Sequence, residues 1–225
     1  MTDSKDSAGP TRFSRLWDLL KQPSAAIPVS ILLVAGIVIG LAGWGVFNTA
    51  LAYTNTEAFC ISCHEMEAHS YKDLKETIHF SNRTGIRAIC SDCHVPHALL
   101  PKLKAKIIAT KDLFFHMTGK IDTPEKYEAH RLEMAVAVWS TLKANDSHEC
   151  RNCHQNVWTD TSNEFGGAAR HHKQALEAGN LTCVDCHQGI AHELPKEFKR
   201  PADKDLFADP DKWLADLKAM VKGNS

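Results

Sequence analysis

Between Lys21 and Glu57 the chain carries no charged side chain. The inner part of that run, Ile27 to Leu51, reads IPVSILLVAGIVIGLAGWGVFNTAL. About 20 apolar residues suffice to cross a hydrocarbon layer, and a soluble protein is not expected to bury so long a helix without one charge. A cleaved signal sequence is the competing reading, but its apolar region would be about 7–15 residues. The pattern therefore predicts one uncleaved membrane-spanning helix within residues 25–53. A second pattern lies in residues 98–118, ALLPKLKAKIIATKDLFFHMT. There Leu99, Leu100, Leu103, Ile107, Ile108 and Phe114 recur at helical spacing, with Lys102, Lys104, Lys106 and Lys111 among them. A basic amphipathic helix of this kind suits a membrane interface; the plainer alternative is a helix covering a cofactor. Residues 131–143 predict a helix linking two halves. The chain after Pro195 predicts an exposed extension with a short helix near Trp213–Val221.

Composition narrows the function. The 225 residues are 44% apolar and 24% charged, with net charge −1. An intrinsically disordered chain would be poorer in apolar residues and more heavily charged. A nucleic-acid binder would carry a basic excess. A mean hydropathy of −0.28 excludes a many-helix membrane protein and allows one span.

The cysteines carry the chemistry. All 8 fall in pairs of one form, each followed by histidine: Cys60-Ile-Ser-Cys63-His64, Cys90-Ser-Asp-Cys93-His94, Cys150-Arg-Asn-Cys153-His154 and Cys183-Val-Asp-Cys186-His187. CxxCH is the attachment motif of c-type haem. The two thiols add to the two vinyl groups of one porphyrin, and the adjacent His supplies an axial ligand to the iron. Zinc sites built from paired CxxC have about 15–20 residues between pairs, and zinc gives no reason for four trailing histidines. Two-residue spacing repeated with His also argues against disulfides, and the βαβ setting of a thioredoxin-like motif is absent. Four covalent haems in residues 54–195 would themselves form most of the core. The expected fold is mainly α with much irregular structure: one N-terminal transmembrane helix and a small multihaem domain.

The flanks of the span set the expected topology. Arg12, Arg15 and Lys21 precede it, and no Lys or Arg follows until Lys72, whereas Glu57, Glu65 and Glu67 do. The positive-inside rule then gives a cytoplasmic segment 1–24, an anchor 25–53, a periplasmic tetrahaem domain 54–195 and an exposed C-terminal extension 196–225. The expected location is the inner membrane of a bacterium, crossed once. The first motif starts nine residues after Leu51, so haem 1 is expected at the membrane surface.

The motifs form two pairs, Cys60/Cys90 and Cys150/Cys183, with pitches of 30 and 33 residues. His79 and His172 each stand 11 residues before the second motif of their pair, with Gly85 and Gly179 between; His97 and His192 follow that motif. This predicts a duplicated two-haem unit. The four repeating histidines are candidate sixth ligands, whereas His69, His116, His130, His148 and His171 are expected to be solvated surface residues. The first motif alone continues as His64-Glu65-Met66, where the second half has Asn156. Met66 is either apolar filler or an iron ligand that raises the reduction potential.

One anchor, four CxxCH motifs, the CxxCHxM first motif and a lysine-rich segment with Lys106 and Asp112 resemble the NapC/NirT family of membrane-anchored tetrahaem cytochromes c, over roughly residues 12–195. The resemblance implies oxidation of membrane quinol and delivery of electrons to a soluble periplasmic reductase or its dihaem cytochrome subunit, most of all a nitrate reductase. It implies Met66 and Asp112 at haem 1, with Lys106 and Asp112 contacting quinol. It implies His94 with His192 at haem 2 and His154 with His79 at haem 3. For haem 4, His187 is paired with His172, carried on a longer gap between motifs three and four; the internal repeat offers His97 instead. The alternatives are a carrier module without its own quinol site, or the type that partners a nitrite reductase. A terminal reductase would need a pocket rich in Arg and Lys, which the sequence does not present.

Overall fold

The computed structural model describes Phe13 and residues 27–155, 161, 162 and 164–223. Arg12, Arg15, Lys21 and Asn156, which entered the expectations above, lie outside the described residues. Among the described residues there is helix and irregular chain, with no strand. The chain divides into two compact units, Met1–Leu51 and Ala52–Ser225.

The first unit holds most of α1, Val29–Tyr53. Its best window has a mean hydropathy of 2.3, and none of it is buried in protein. At 1.5 Å per residue a helix of 25 residues is about 37 Å long, enough for a hydrocarbon core of about 30 Å. Its polar side chains return to their own helix: Asn48 Nδ2 donates to Trp44 O at 2.8 Å and Thr49 Oγ1 to Gly45 O at 2.9 Å. That satisfies both groups without water, as lipid requires.

The second unit is a chain of short helices. They are α2 (Glu57–Cys60), a π-helical turn (Met66–Tyr71), α3 (Lys72–Lys75), α4 (Cys90–His94), α5 (Leu99–Met117), α6 (Pro124–Ala144) and α7 (His148–Arg151). There follow α8 (Gly166–Ala178), α9 (Cys183–Cys186), α10 (Asp203–Ala208) and α11 (Lys212–Gly223). The organising helix is α6. Thr123 caps its N-terminus, accepting from Lys126 N at 3.3 Å, Pro124 fills the first turn where no amide donor is needed, and Lys143 closes the last turn. Leu132, Val136 and Trp139 share one face at i, i+4 and i+7 spacing.

That face meets α8, α9 and the C-terminal segment. The core comprises Leu132, Val136, Trp139, Ala175, Leu181, Val184, Phe198, Leu206, Trp213, Leu214 and Leu217. Two expectations are corrected here. A conventional apolar core does form, and residues 196–223 are part of it rather than an exposed extension: Leu206 is 2% exposed, Leu214 4% and Trp213 7%. Mixed charge describes the outer face of this segment; its apolar residues, with Pro210 among the buried ones, recur on the inner one.

Polar ties draw the first half onto α6. Arg131 is half-way along the helix and buried; its Nη1 donates to Asp73 at 2.8 Å and its Nη2 to Glu128 at 2.7 Å. Asp73 also accepts from Glu193 N at 3.1 Å, so α3, α6 and the chain after the fourth motif converge on one ion pair. Glu57, at the start of α2, accepts from Arg87 Nη2 at 2.6 Å, which fastens the irregular approach to α4 beside α2. The predicted amphipathic helix forms as α5. Its Leu100, Ile107, Ile108 and Phe114 are exposed, and none of its residues is buried.

Candidate haem-binding site

The second and fourth motifs each fill one helical turn, α4 and α9, whose residues i and i+3 lie on one side, so their two thiols face one way. The first and third motifs start at the C-terminal ends of α2 and α7 and continue as turns. The second motif of each pair has a local device that motif spacing alone does not reveal. Asp92 Oδ2 accepts from Ile89 N at 2.9 Å, and Asp185 Oδ2 accepts from Thr182 N at 2.7 Å. An acid at the third position caps the turn and favours it through the helix dipole. The signal was present in the sequence, since both motifs read Cys-x-Asp-Cys-His. Asp185 goes further: it is fully buried and also accepts from Lys143 Nζ at 2.7 Å and Trp213 Nε1 at 2.8 Å.

Successive motifs adjoin in sequence order. None of the eight cysteines is joined to another in a disulfide. Cys60 and Cys90 hydrogen-bond through their side chains, and so do Cys150 and Cys183. Thus both motif pairs join by their first cysteines, an equivalence that a duplicated unit predicts. The bond from Cys90 lowers the Cys60 thiol to about 7, with Lys106 acting in the same direction. Cys90 and Cys150, on the donating side, are raised. Cys93 feels the charge of Cys153, and α4 packs on α7, so the second and third motifs adjoin.

The histidines arrange themselves in facing pairs. The rings of His94 and His192 have centroids 6.1 Å apart, His79 and His154 6.3 Å, and His172 and His187 6.0 Å. Two imidazoles on opposite sides of one metal, each nitrogen about 2 Å from it, have centroids about 6 Å apart. The non-motif ring of each pair is held from behind. His79 Nδ1 bonds Ile190 O at 3.3 Å, His192 Nδ1 bonds Ser70 O at 3.1 Å, and His172 Nδ1 bonds Glu164 Oε2 at 2.7 Å. A ring with Nδ1 occupied presents Nε2 as the ligating nitrogen. Two thiols, an adjacent imidazole and a second imidazole facing it form a donor set that fits an iron porphyrin. His97 sits exposed in the turn before α5, and His172 is the ring opposite His187.

Two of the histidines expected at the solvated surface make tertiary contacts, and a third, His130, is half-buried against its own helix, its Nδ1 bonding Lys126 O at 2.8 Å. His69 stacks on Tyr127 with centroids 4.2 Å apart. His116 bonds Glu65 Oε1 through Nδ1 at 2.5 Å. Neither has a counterpart in the internal repeat, so spacing carried no signal for them. Met66 opens the π-helical turn and is half-buried.

Near the first motif, Lys106 is half-buried and its Nζ donates to Thr54 O at 2.6 Å. Burial holds its ammonium below the ordinary lysine value; Cys60 acts the other way, and Lys102 with the burial. Six residues on, Asp112 reaches the surface of α5, yet the crowding of the chain around it desolvates the carboxyl and raises it, against the pull of Lys111.

Residues 22–197 match the family model described as the NapC/NirT cytochrome c family, N-terminal region. The chain belongs to that family. It is 48% identical over 186 residues to the cytochrome c-type protein NapC of Escherichia coli K12, covering 83% of this chain and 92% of that protein. It is 49% identical over 178 residues to the denitrification system component NirT of Stutzerimonas stutzeri, covering 79% of this chain and 88% of that one. To the cytochrome c-type protein TorC of E. coli K12 it is 41% identical over 182 residues, which is 80% of this chain and 46% of TorC. No solved structure matches the chain. Membership of this NapC/NirT family makes the protein a c-type cytochrome of membrane-anchored electron transfer, and α1 suits a single-pass anchor.

Proposed function

We propose that the protein oxidises membrane quinol beside the first CxxCH motif and passes the electrons, through four haems in series, to a soluble periplasmic reductase, a nitrate reductase above all. The observation that carries this reading is the half-buried Lys106 next to Cys60, with the raised carboxyl of Asp112 further along the same helix. A pure carrier has no use for a desolvated cation and a proton-avid acid at its first attachment site. The acceptor rests on the likeness to NapC and NirT.

Quinol becomes quinone by losing two protons and two electrons, and its two O–H bonds break. Haem iron, when bound, takes these electrons one at a time. Lys106 Nζ turns from Thr54 O to donate to a quinol oxygen and stabilises negative charge as it develops there. Asp112, ionised, receives one proton and releases it to water on the outer side before accepting the second. His94 with His192, His154 with His79, and His187 with His172 would hold haems 2, 3 and 4. Their Nδ1 partners fix each distal ring in the tautomer that ligates through Nε2. The adjoining cysteines of successive motifs keep the attachment points in line from the first to the fourth.

The test uses the full chain reconstituted into phospholipid vesicles with no other protein. Addition of a quinol should develop the reduced haem bands. Reduction that requires a second quinol-oxidising complex would leave only the carrier reading.

The proposed topology has its own measurement. A reporter active only in the periplasm should work when fused after Lys196 and be silent after Pro23. Activity after Pro23 would reverse the orientation.

A further inference from the structure

The short stretch from His187 to Glu193 touches three of the proposed haem sites. His187 ends the fourth motif and faces His172, the carbonyl of Ile190 bonds Nδ1 of His79 at 3.3 Å, and His192 faces His94 with ring centroids 6.1 Å apart. This stretch contains no helix. His94 is held by α4, but His192 stands on irregular chain, which moves more than the helices it connects. A ligand carried on such chain has to be fixed from outside.

The peptide next to His192 is gripped at both of its polar groups. Glu193 N donates to Asp73 Oδ2 at 3.1 Å, and Glu193 O accepts from Arg131 Nη1 at 3.2 Å. The same Nη1 donates to Asp73 Oδ2 at 2.8 Å, so acid, guanidinium and peptide close on one another. Arg131 is itself anchored, because its Nε and Nη2 donate to Glu128 at 2.9 and 2.7 Å. The side chains of Asp73 and Arg131 are 9% and 10% exposed. An ion pair so buried needs further hydrogen bonds to offset its desolvation, and the Glu193 peptide supplies two.

A second hold acts on the ring itself. His192 Nδ1 bonds Ser70 O at 3.1 Å, and the Ser70 hydroxyl lies 2.6 Å from Tyr127 OH. Tyr127 and Arg131 are four residues apart on α6, so both holds come from one face of that helix. The loop is also folded tightly on itself. Gly189 has φ +73°, and a Cβ there would lie 2.8 Å from Leu194 Cγ, so only glycine fits that turn.

We infer that Asp73, fixed by Arg131, is a positioning residue of the electron-transfer chain: it seats the loop that presents His192 to haem 2. The inference rests on the four-haem reading above and adds to it a residue that no motif spacing marks. Asp73 acts in two ways. By accepting from Glu193 N it fixes where His192 stands. By its charge it favours ferric over ferrous iron, since a buried negative charge near a haem lowers its potential. That charge reaches the ring: burial lowers the His192 imidazole, and Asp73 acts the other way.

The experiment uses the full-length holoprotein. Haem is counted by the pyridine haemochrome assay, spin state is read by electron paramagnetic resonance, and the potentials come from a spectroscopic redox titration. His192→Ala provides the reference: one haem of the four becomes high-spin, and the low-spin signal it loses marks haem 2. Asp73→Asn keeps an acceptor for Glu193 N and loses the charge. It should retain four low-spin haems and raise the potential of the marked one. Asp73→Ala removes the acceptor as well. It should turn part of that same haem high-spin, and added imidazole should restore it. Asp216→Asn is the control, because its ion pair with Lys212 is exposed; all spectra and potentials should stay as they were. A purely structural role for Asp73 gives a lower melting temperature in Asp73→Ala with unchanged spectra and potentials, and that result overturns the inference. So does a shift confined to a haem other than the marked one. If Asp73→Ala fails to accumulate, the nearly isosteric Asp73→Asn still decides through the potential. Unchanged spectra in His192→Ala would overturn the ligand assignment and this inference with it. Failure of quinol to reduce the protein would touch the proposed quinol reaction alone.

Discussion

Lys106→Leu slows quinol-dependent haem reduction on the order of a hundredfold while reduction by dithionite keeps its rate. The two reductants differ in what they need. Dithionite delivers electrons to an exposed porphyrin edge and requires no pocket. Quinol must be held by an oxygen and must lose protons as it loses electrons. Lys106 is the cation placed to hold that oxygen. It is half-buried, close enough to lower the Cys60 thiol, and its Nζ reaches Thr54 O at 2.6 Å. Leucine keeps the stem that packs in the helix and removes the donor, so haem content is expected to stay at four. Asp112→Asn should give a comparable loss by removing the proton acceptor, with the same indifference to dithionite. Lys104 is the control, since it is exposed on the same helix. Lys111 is a poorer one, because its Nζ lies 3.5 Å from Glu133 and stacks on Phe115. Equal slowing in Lys104→Leu and Lys106→Leu would reduce the segment to an electrostatic contact with the membrane.

Trp213→Ala has the largest expected effect on stability, a loss of about 3–5 kcal/mol and a melting temperature lower by roughly 6–20 °C. Trp213 belongs to the C-terminal helix but packs on Trp139 and Phe198, with ring centroids 5.7 and 6.4 Å away. Its Nε1 donates to Asp185, a carboxylate with no exposure at all. Alanine therefore opens a cavity and removes one of the two donors to the buried Asp185 Oδ1, leaving Lys143 at that oxygen. The consequence reaches the fourth motif, because Asp185 is also the residue that caps Thr182 in front of Cys183. Trp213→Phe separates the two contributions. It keeps most of the packing, loses the N–H, and should cost about 1–3 kcal/mol. Thermal unfolding followed by the near-ultraviolet and haem bands measures both. A melting point unchanged in Trp213→Ala would mean that the C-terminal segment does not support the domain.

Local chemistry was legible in the sequence. A CxxCH motif needs only residues close in the chain to aim its thiols, so eight cysteines and four histidines pointed to the proposed attachment sites without any knowledge of the fold. The anchor needed only length and the absence of charge from Gln22 to Thr56. The α5 helix followed from periodicity, and the family from motifs that lie close together in the chain. The pairing of histidines is a different kind of fact. His79 meets His154 and His94 meets His192 across stretches of 75 and 98 residues, counted as 154 − 79 and 192 − 94. No local period connects such residues; for these pairs the family resemblance supplied what spacing could not.

Tertiary structure alone decided the rest. His116 looked like any surface histidine until α5 turned it toward His64 and Glu65. His69 gained its place by stacking on a tyrosine of α6. The C-terminal segment looked exposed because its charges are evenly mixed, yet Leu206, Trp213, Leu214 and Leu217 complete a core that α6, α8 and α9 leave one side short. The physical reason is common to all of these. Covalent attachment and membrane insertion depend on residues within one or two turns of each other, and a sequence states those directly. Distal ligation, buried carboxylates and core closure depend on which helix faces which, and that is settled only when the apolar side of α6 finds its partners.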